Sequence, residues 1–313
     1  MNFAMGLVLF FIFKKIGWKF FRSNILIVYW LFIIILLVTY IIGVEVKGSK
    51  RWIDLIFFRF QASEFFKIFF ILFFADFFAK LPRRSNDFLS LVLSLFYFVV
   101  PAFIIFKQPD LGNASVYTYI FFTMLLFSSI SKKQVMTLIG LIALILPFSW
   151  FFMKDYQKNR IISFVEAHQN DQENAYNMIQ AIITVGSGKL FGRGLGLGTQ
   201  SRLYFLPENR TDFAFSSLVE QFGFLGGFVT LFLFAVILFL LGKRAHKFVF
   251  KDDENGRFIF LFLLGFMSLI FFQVLVNVGM NLGLLPIAGI ALPFISYGGS
   301  MLVALMIGFA IIP

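Results

Sequence analysis

The chain has 313 residues, 60% of them hydrophobic, with 50 Phe, 14% charged residues and a formal net charge of +11. So little polar material cannot cover a water-soluble surface, which excludes a soluble globular enzyme. Cys is absent and His168 and His246 are the two histidines, which excludes disulfides and a Cys/His metal site.

Apolar stretches long enough to cross a hydrocarbon core of about 30 Å recur along the chain. They predict spans over 25–44, 62–79, 88–106, 114–130, 135–153, 213–241, 258–280 and 296–312, with a short ninth over 2–13. These runs exceed the roughly ten residues of a barrel strand and lack a two-residue period, so the expected fold is all-α, a polytopic transmembrane helical bundle. The chain reads as a single integral membrane domain over 1–313. Lys14 and Lys15 close the first apolar run and no small-residue cleavage site follows, so the first helix is expected to act as its own insertion signal.

Alternate loops differ in charge. One set carries Lys14, Lys15, Lys19, Arg22, Lys80, Arg83, Arg84, Lys132, Lys133 and the basic run from Lys243 to Arg257; the other carries Lys47, Lys50, Arg51, Arg59 and Lys107. The positive-inside rule puts the first set in the cytoplasm, the long loop 154–212 outside and the C-terminus inside. The net charge then follows from membrane-flanking loops, and nucleic acid need not be invoked.

In the run from Trp52 to Lys67, Glu64 and Lys67 stand three residues apart on one helix face and are expected to pair. A lone charge at membrane depth costs about 2.5–3.5 kcal/mol on insertion scales, so a partner or a polar cavity is required; an interfacial position with Lys67 snorkelling outward is the competing reading. Lys107-Gln-Pro-Asp-Leu-Gly112 predicts a tight turn, with Asp110 or Asn113 capping the next helix.

The long loop is dense in glycine between Gly186 and Gln200. A dinucleotide fingerprint does not fit, because no βαβ unit surrounds it, and a P-loop fails because Leu190 follows Gly188-Lys189. Simple packing of this loop on the bundle remains open. Lys189, Arg193, Arg202 and Arg210 face the acids Glu208 and Asp212 across the second half of the loop. They suit an anionic headgroup, either a substrate phosphate or ordinary lipid. Asp212 closes the loop where an apolar span begins, and the residues alone leave it either a helix cap or a catalytic acid. The stretch 277–300 is apolar yet broken by Pro286, Pro293 and several glycines, which predicts a re-entrant segment lining a groove.

These segments together resemble the SEDS family (shape, elongation, division and sporulation), the bacterial peptidoglycan glycosyltransferases typified by RodA and FtsW. The resemblance rests on Lys47-Gly-Ser-Lys-Arg-Trp-Ile, Phe60-Gln-Ala-Ser-Glu, Lys107-Gln-Pro-Asp-Leu-Gly, the Gly186 to Gln200 run, Phe205-Leu-Pro-Glu, Thr211-Asp-Phe and Pro293-Phe-Ile-Ser-Tyr-Gly-Gly-Ser. Gly198-Thr-Gln200 and the segment from Asn277 to Pro286 look closer to the RodA branch. The chain departs from the family pattern at Arg210, where His is usual, and at Ala62, where Pro is usual; the first of the family's ten helices also lacks a counterpart.

The resemblance implies polymerisation of lipid II in the bacterial inner membrane during cell-wall elongation. Asp212 matches the essential acid and would act as general base. Glu64 and Lys67 would line the substrate cavity, and Lys189, Arg193, Arg202 and Arg210 would hold phosphate. No cofactor is implied with certainty, although a divalent cation would be compatible, and a class B penicillin-binding protein is the implied partner. A precursor flippase or a non-catalytic scaffold for a cell-wall synthase would share the same apolar groove.

Overall fold

The computed structural model describes residues 2–46, 49–55, 58–82, 88–152, 158–159, 162, 164, 172–251 and 253–313. Lys47 and Gly48 of the first family motif, the basic Arg83 and Arg84, and His168 lie outside the described residues.

A helix stands at each of the nine predicted spans. Among the described residues, four helices are long and apolar enough to cross a membrane: α3 (Ile25–Ile42), α5 (Phe88–Lys107), α10 (Ala214–His246) and α11 (Glu254–Asn281). The chain is a multi-pass helical membrane protein. The remaining α-helices of the described residues, in chain order, are α1 (Asn2–Ile16), α2 (Trp18–Ser23), α4 (Ala62–Ala79), α6 (Leu111–Leu126), α7 (Lys132–Ile145), α8 (Gln172–Ser187), α9 (Thr199–Arg202) and α12 (Gly299–Ala310), and a 3-10 helix, Leu146–Phe152, continues α7. Further elements were not expected from the sequence. A three-stranded antiparallel meander, β1 (Val44–Val46), β2 (Ser49–Leu55) and β3 (Phe58–Phe60), joins α3 to α4, α2 lies outside the predicted spans, and α8 and α9 lie inside the stretch read as a loop.

The chain divides into two compact units. The first comprises Met1–Leu138, Phe239–Ile270 and Gly298–Pro313; the second comprises Ile139–Leu238 and Phe271–Tyr297.

In the first unit α4 is the centre, with 17 of its 18 residues buried and α3, α6 and α12 packed against it. Its four-residue periodicity puts Phe66, Phe70, Phe74 and Phe78 in a continuous ring column. Tyr117 and Phe121 of α6 meet that column edge-on, at 4.8 Å from Phe70 and 5.1 Å from Phe74. Such pairs contribute about 0.5–1.5 kcal/mol each beyond burial, which is one use this chain makes of its many Phe. At the other end of α4, Arg22 bonds Asp76 at 2.7 Å and also pairs with Glu254 of α11.

In the second unit α10 is not continuous. Gly223 has φ 71°, and the chain turns there before the helix resumes. That conformation is open to glycine at no steric cost. The segment 282–297 after α11 is non-helical, as its prolines and glycines predict.

Candidate active site

Asp212 sits two residues before α10 and is half-buried. The first intrahelical bond of α10 runs from Ser217 N–H to the Phe213 carbonyl, which makes Phe213 the capping position and leaves Asp212 one residue outside the helix. The first-turn donor at Ser216, which has no intrahelical acceptor, is taken by Asn281 of α11, whose Oδ1 accepts from the Ser216 N–H at 2.9 Å and from its Oγ at 2.6 Å. The helix start is therefore capped from another element.

The three residues leading into α10 are held by their carbonyls. Tyr297 N–H donates to Arg210 at 2.7 Å, Ser296 Oγ to Thr211 at 2.6 Å, and Asn277 and Asn281 both donate to Asp212, at 3.0 and 3.1 Å. Asn277 and Asn281 are fully buried and Ser296 nearly so. Asn277 also bonds the Ile290 carbonyl, and Ser296 accepts from Leu292 N–H. The broken segment that the sequence marks with Pro286 and Pro293 is thus a brace for Asp212. Part of its irregular backbone is satisfied inside the protein, through the Ile290 carbonyl and the Leu292, Ser296 and Tyr297 N–H groups.

The four cations lie on two connected turns. Asn209 Nδ2 donates to the Ser201 carbonyl at 2.6 Å, closing a turn immediately before Arg202 and Arg210, both exposed. Thr211 Oγ1 donates to Glu208 Oε2 at 2.8 Å in the same turn. Lys189 and Arg193 belong instead to the glycine loop, which is bonded to the break in α10: Arg193 N–H to Glu220 carbonyl at 2.9 Å, Gly194 N–H to Gln221 carbonyl at 3.0 Å, and Phe224 N–H to Lys189 carbonyl at 2.8 Å.

Glu220, the one acid inside the predicted span 213–241, escaped the sequence reading. It is fully buried, and its carboxylate accepts from Gln200 N–H at 2.9 Å, Ser201 N–H at 3.0 Å and Ser201 Oγ at 2.6 Å. It caps α9 and fixes the far end of the glycine loop. A lone acid in an apolar span is itself the signal that could have found it.

In the first unit Lys67 pairs with Glu64 at 2.7 Å and donates to Asn113 Oδ1 at 3.0 Å. Lys67 is only 1% exposed, so it does not snorkel. Asn113 Nδ2 donates to Asp110 Oδ2 at 2.9 Å, and Gln61 Nε2 reaches the same oxygen at 3.3 Å. Asp110 caps α6 as expected, accepting from Asn113 N–H at 3.1 Å, and also pairs with Arg51 at 3.5 Å. Two cations and two carboxylates thus balance along one buried polar track. Asp110 and Asn113 do more than the capping expected of them: Asn113 bridges Lys67 to Asp110, and Asp110 pairs with Arg51. Among the described residues no group of three His, Asp or Glu is placed to hold a metal.

The sequence matches, over residues 1–313, the family described as the cell cycle proteins FtsW, RodA and SpoVE. It is 35% identical to the peptidoglycan glycosyltransferase MrdB of Escherichia coli K12, an alignment covering 99% of this chain and 82% of that protein. It is 33% identical to the stage V sporulation protein E of Bacillus subtilis, over 93% of this chain and 77% of that one. Among solved structures, a chain from a peptidoglycan synthase complex superposes with a TM-score of 0.82 at 26% identity, covering 99% of this chain and 86% of that chain. Thermus thermophilus RodA superposes with a TM-score of 0.71 at 25% identity, covering 99% and 83%. With these matches along its length, the chain belongs to the FtsW/RodA/SpoVE family and is RodA-like.

Proposed function

We propose that Asp212 is the general base of glycan-strand polymerisation from lipid II. The chain is a peptidoglycan glycosyltransferase, and the reaction such an enzyme must perform is a displacement at a sugar carbon. The 4-hydroxyl of a GlcNAc attacks the anomeric carbon of a MurNAc; the new C–O bond forms as the bond to pyrophosphate breaks. The hydroxyl proton goes to the Asp212 carboxylate, and undecaprenyl pyrophosphate leaves with the bond electrons. A positioned base contributes typically about 10²–10⁴-fold.

The observation that carries this reading is the clamp on consecutive carbonyls from Arg210 to Asp212, made by Tyr297, Ser296, Asn277 and Asn281. Fixing the backbone of a half-buried carboxylate is what a base needs in order to meet its proton in a reproducible geometry. Arg202 and Arg210, exposed on the adjoining turn, are suited to the departing pyrophosphate, because a guanidinium binds two oxygens in one plane. Glu64 and Lys67 serve substrate binding within the first unit. The reaction takes place on the outer face of the bacterial inner membrane, with loop 154–212 outside and the C-terminus inside, in cell-wall elongation, and a class B penicillin-binding protein crosslinks the product.

The test is a gel of products from labelled lipid II incubated with the purified chain, alone and with a transpeptidase partner, beside Asp212→Ala. Glycan ladders that vanish in the variant support the reading. Ladders of unchanged intensity in the variant overturn it, and no ladder from either protein would favour a flippase or a scaffold.

A further inference from the structure

The glycine loop, residues 188–197, presents apolar side chains outward. Phe191 is 78% exposed and Leu195 76%, with Leu190 and Leu197 also exposed. Lys189 and Arg193 stand among them, both exposed; Arg193 keeps bonds to Thr199 Oγ1 at 2.8 Å and to the Ser187 carbonyl at 3.3 Å. A loop of this composition would be costly to hold in water, and Lys is depleted from the cores of protein interfaces.

The height of the loop along α10 is set by its bonds to Glu220, Gln221 and Phe224. Before the break α10 carries Ser216, Ser217, Glu220 and Gln221; after it, residues 224–241 hold no charge, and Lys243 and Arg244 follow. Those 18 residues span about 27 Å at 1.5 Å each, close to a hydrocarbon core of about 30 Å. One membrane boundary therefore falls at Gly223, at the level where the loop is attached.

We propose that the glycine loop is a membrane-interface anchor: Phe191 and Leu195 enter the headgroup–acyl boundary of an anionic bilayer while Lys189 and Arg193 meet lipid phosphates. Apolar side chains at such a boundary sit about 5–10 Å into it, and basic residues beside them add attraction to anionic lipid. Bonded at one end to the break in α10 and at the other to Glu220 through α9, the loop fixes the height of the chain between Gly198 and Arg202 above the lipid phosphates. This placement holds whether or not Asp212 is the base.

The chain has no Cys, so single cysteines can be introduced and labelled with a nitroxide. Phe191→Cys and Leu195→Cys would be placed in the full chain in vesicles of phosphatidylglycerol and phosphatidylethanolamine. Lys50→Cys, on an exposed strand position, serves as the aqueous reference, and Leu233→Cys, 56% exposed at the middle of the apolar run, as the lipid reference. Collision with oxygen relative to a water-soluble nickel chelate is expected to be several-fold higher at 191 and 195 than at 50, and lower than at 233. Adding Lys189→Gln and Arg193→Gln is expected to shift the 191 label toward the aqueous value. Labels at 191 and 195 that read like Lys50 overturn the proposal, as does an unchanged 191 label in the cation variant. Shielding that arises only after a transpeptidase partner is added assigns the face to a protein and overturns it equally.

Discussion

Asn281 holds Asp212 from a different helix: its Nδ2 donates to the Asp212 carbonyl at 3.1 Å while its Oδ1 receives the Ser216 N–H at 2.9 Å. One side chain thereby ties the acid to the first turn of α10. Asn281→Asp keeps an acceptor for Ser216 but loses the donor toward Asp212. The expected result is a folded protein whose polymerisation rate falls by at least about tenfold, equivalent to about 1.4 kcal/mol of transition-state stabilisation. Asn281→Ala, which also orphans the buried Ser216 N–H, should in addition lose about 1–3 kcal/mol of stability. Thermal unfolding in detergent beside a rate assay separates the two variants.

The Glu64–Lys67 pair gives a prediction on stability. Lys67→Met leaves the Glu64 carboxylate buried with its ion-pair partner gone, which typically costs about 3–5 kcal/mol. Removing both charges with Glu64→Leu and Lys67→Met should recover most of that loss without recovering activity. A double mutant no more stable than the single one would show that the pair does not offset its own desolvation in this way.

How much of this was legible in the sequence depends on the range of the interaction. The span over 62–79 is α4 to the residue, because apolar run length and the following Lys80 act locally. The i, i+3 spacing of Glu64 and Lys67 gave their pairing, and the Asp110 cap followed from its place before a helix. The meander β1–β3 was missed because strands of three, seven and three residues between two spans are too short for a two-residue alternation to stand out. α8 was hidden in a stretch too polar for a span, and the break in α10 was hidden because a single Gly in an apolar helix is usually tolerated. Asn277 and Asn281 show the helical i, i+4 spacing in the sequence, yet nothing local says that their target is the Asp212 carbonyl 65 and 69 residues away.

Gly198 and Glu220 are predicted to be coupled. A Cβ at position 198 would lie 2.4 Å from Glu220 Oε2, so Gly198→Ala displaces the carboxylate from its bonds to Gln200 and Ser201. The single variants Gly198→Ala and Glu220→Ala should each destabilise, the latter by about 1–3 kcal/mol. The double variant should cost less than their sum, as contacting residues do. Proteolysis between 188 and 202 gives the readout, and strict additivity would contradict the contact.

Gly223→Ala tests the attachment of the glycine loop. Its φ of 71° is unfavourable for any side chain, and the added Cβ would meet the Leu190 carbonyl at 2.3 Å. Hydrogen exchange at the Phe224 and Leu225 amides, which donate to Lys189 and Leu190, should accelerate in the variant while the amides after residue 228 keep their protection.

The most direct test of Asp212 as base is the initial rate of lipid II polymerisation by Asp212→Asn, measured together with lipid II binding. Asn preserves shape and the backbone clamp while removing the proton acceptor. The account predicts a rate lower by at least about 10²-fold with binding nearly unchanged; a rate within a few-fold of the parent chain would contradict it.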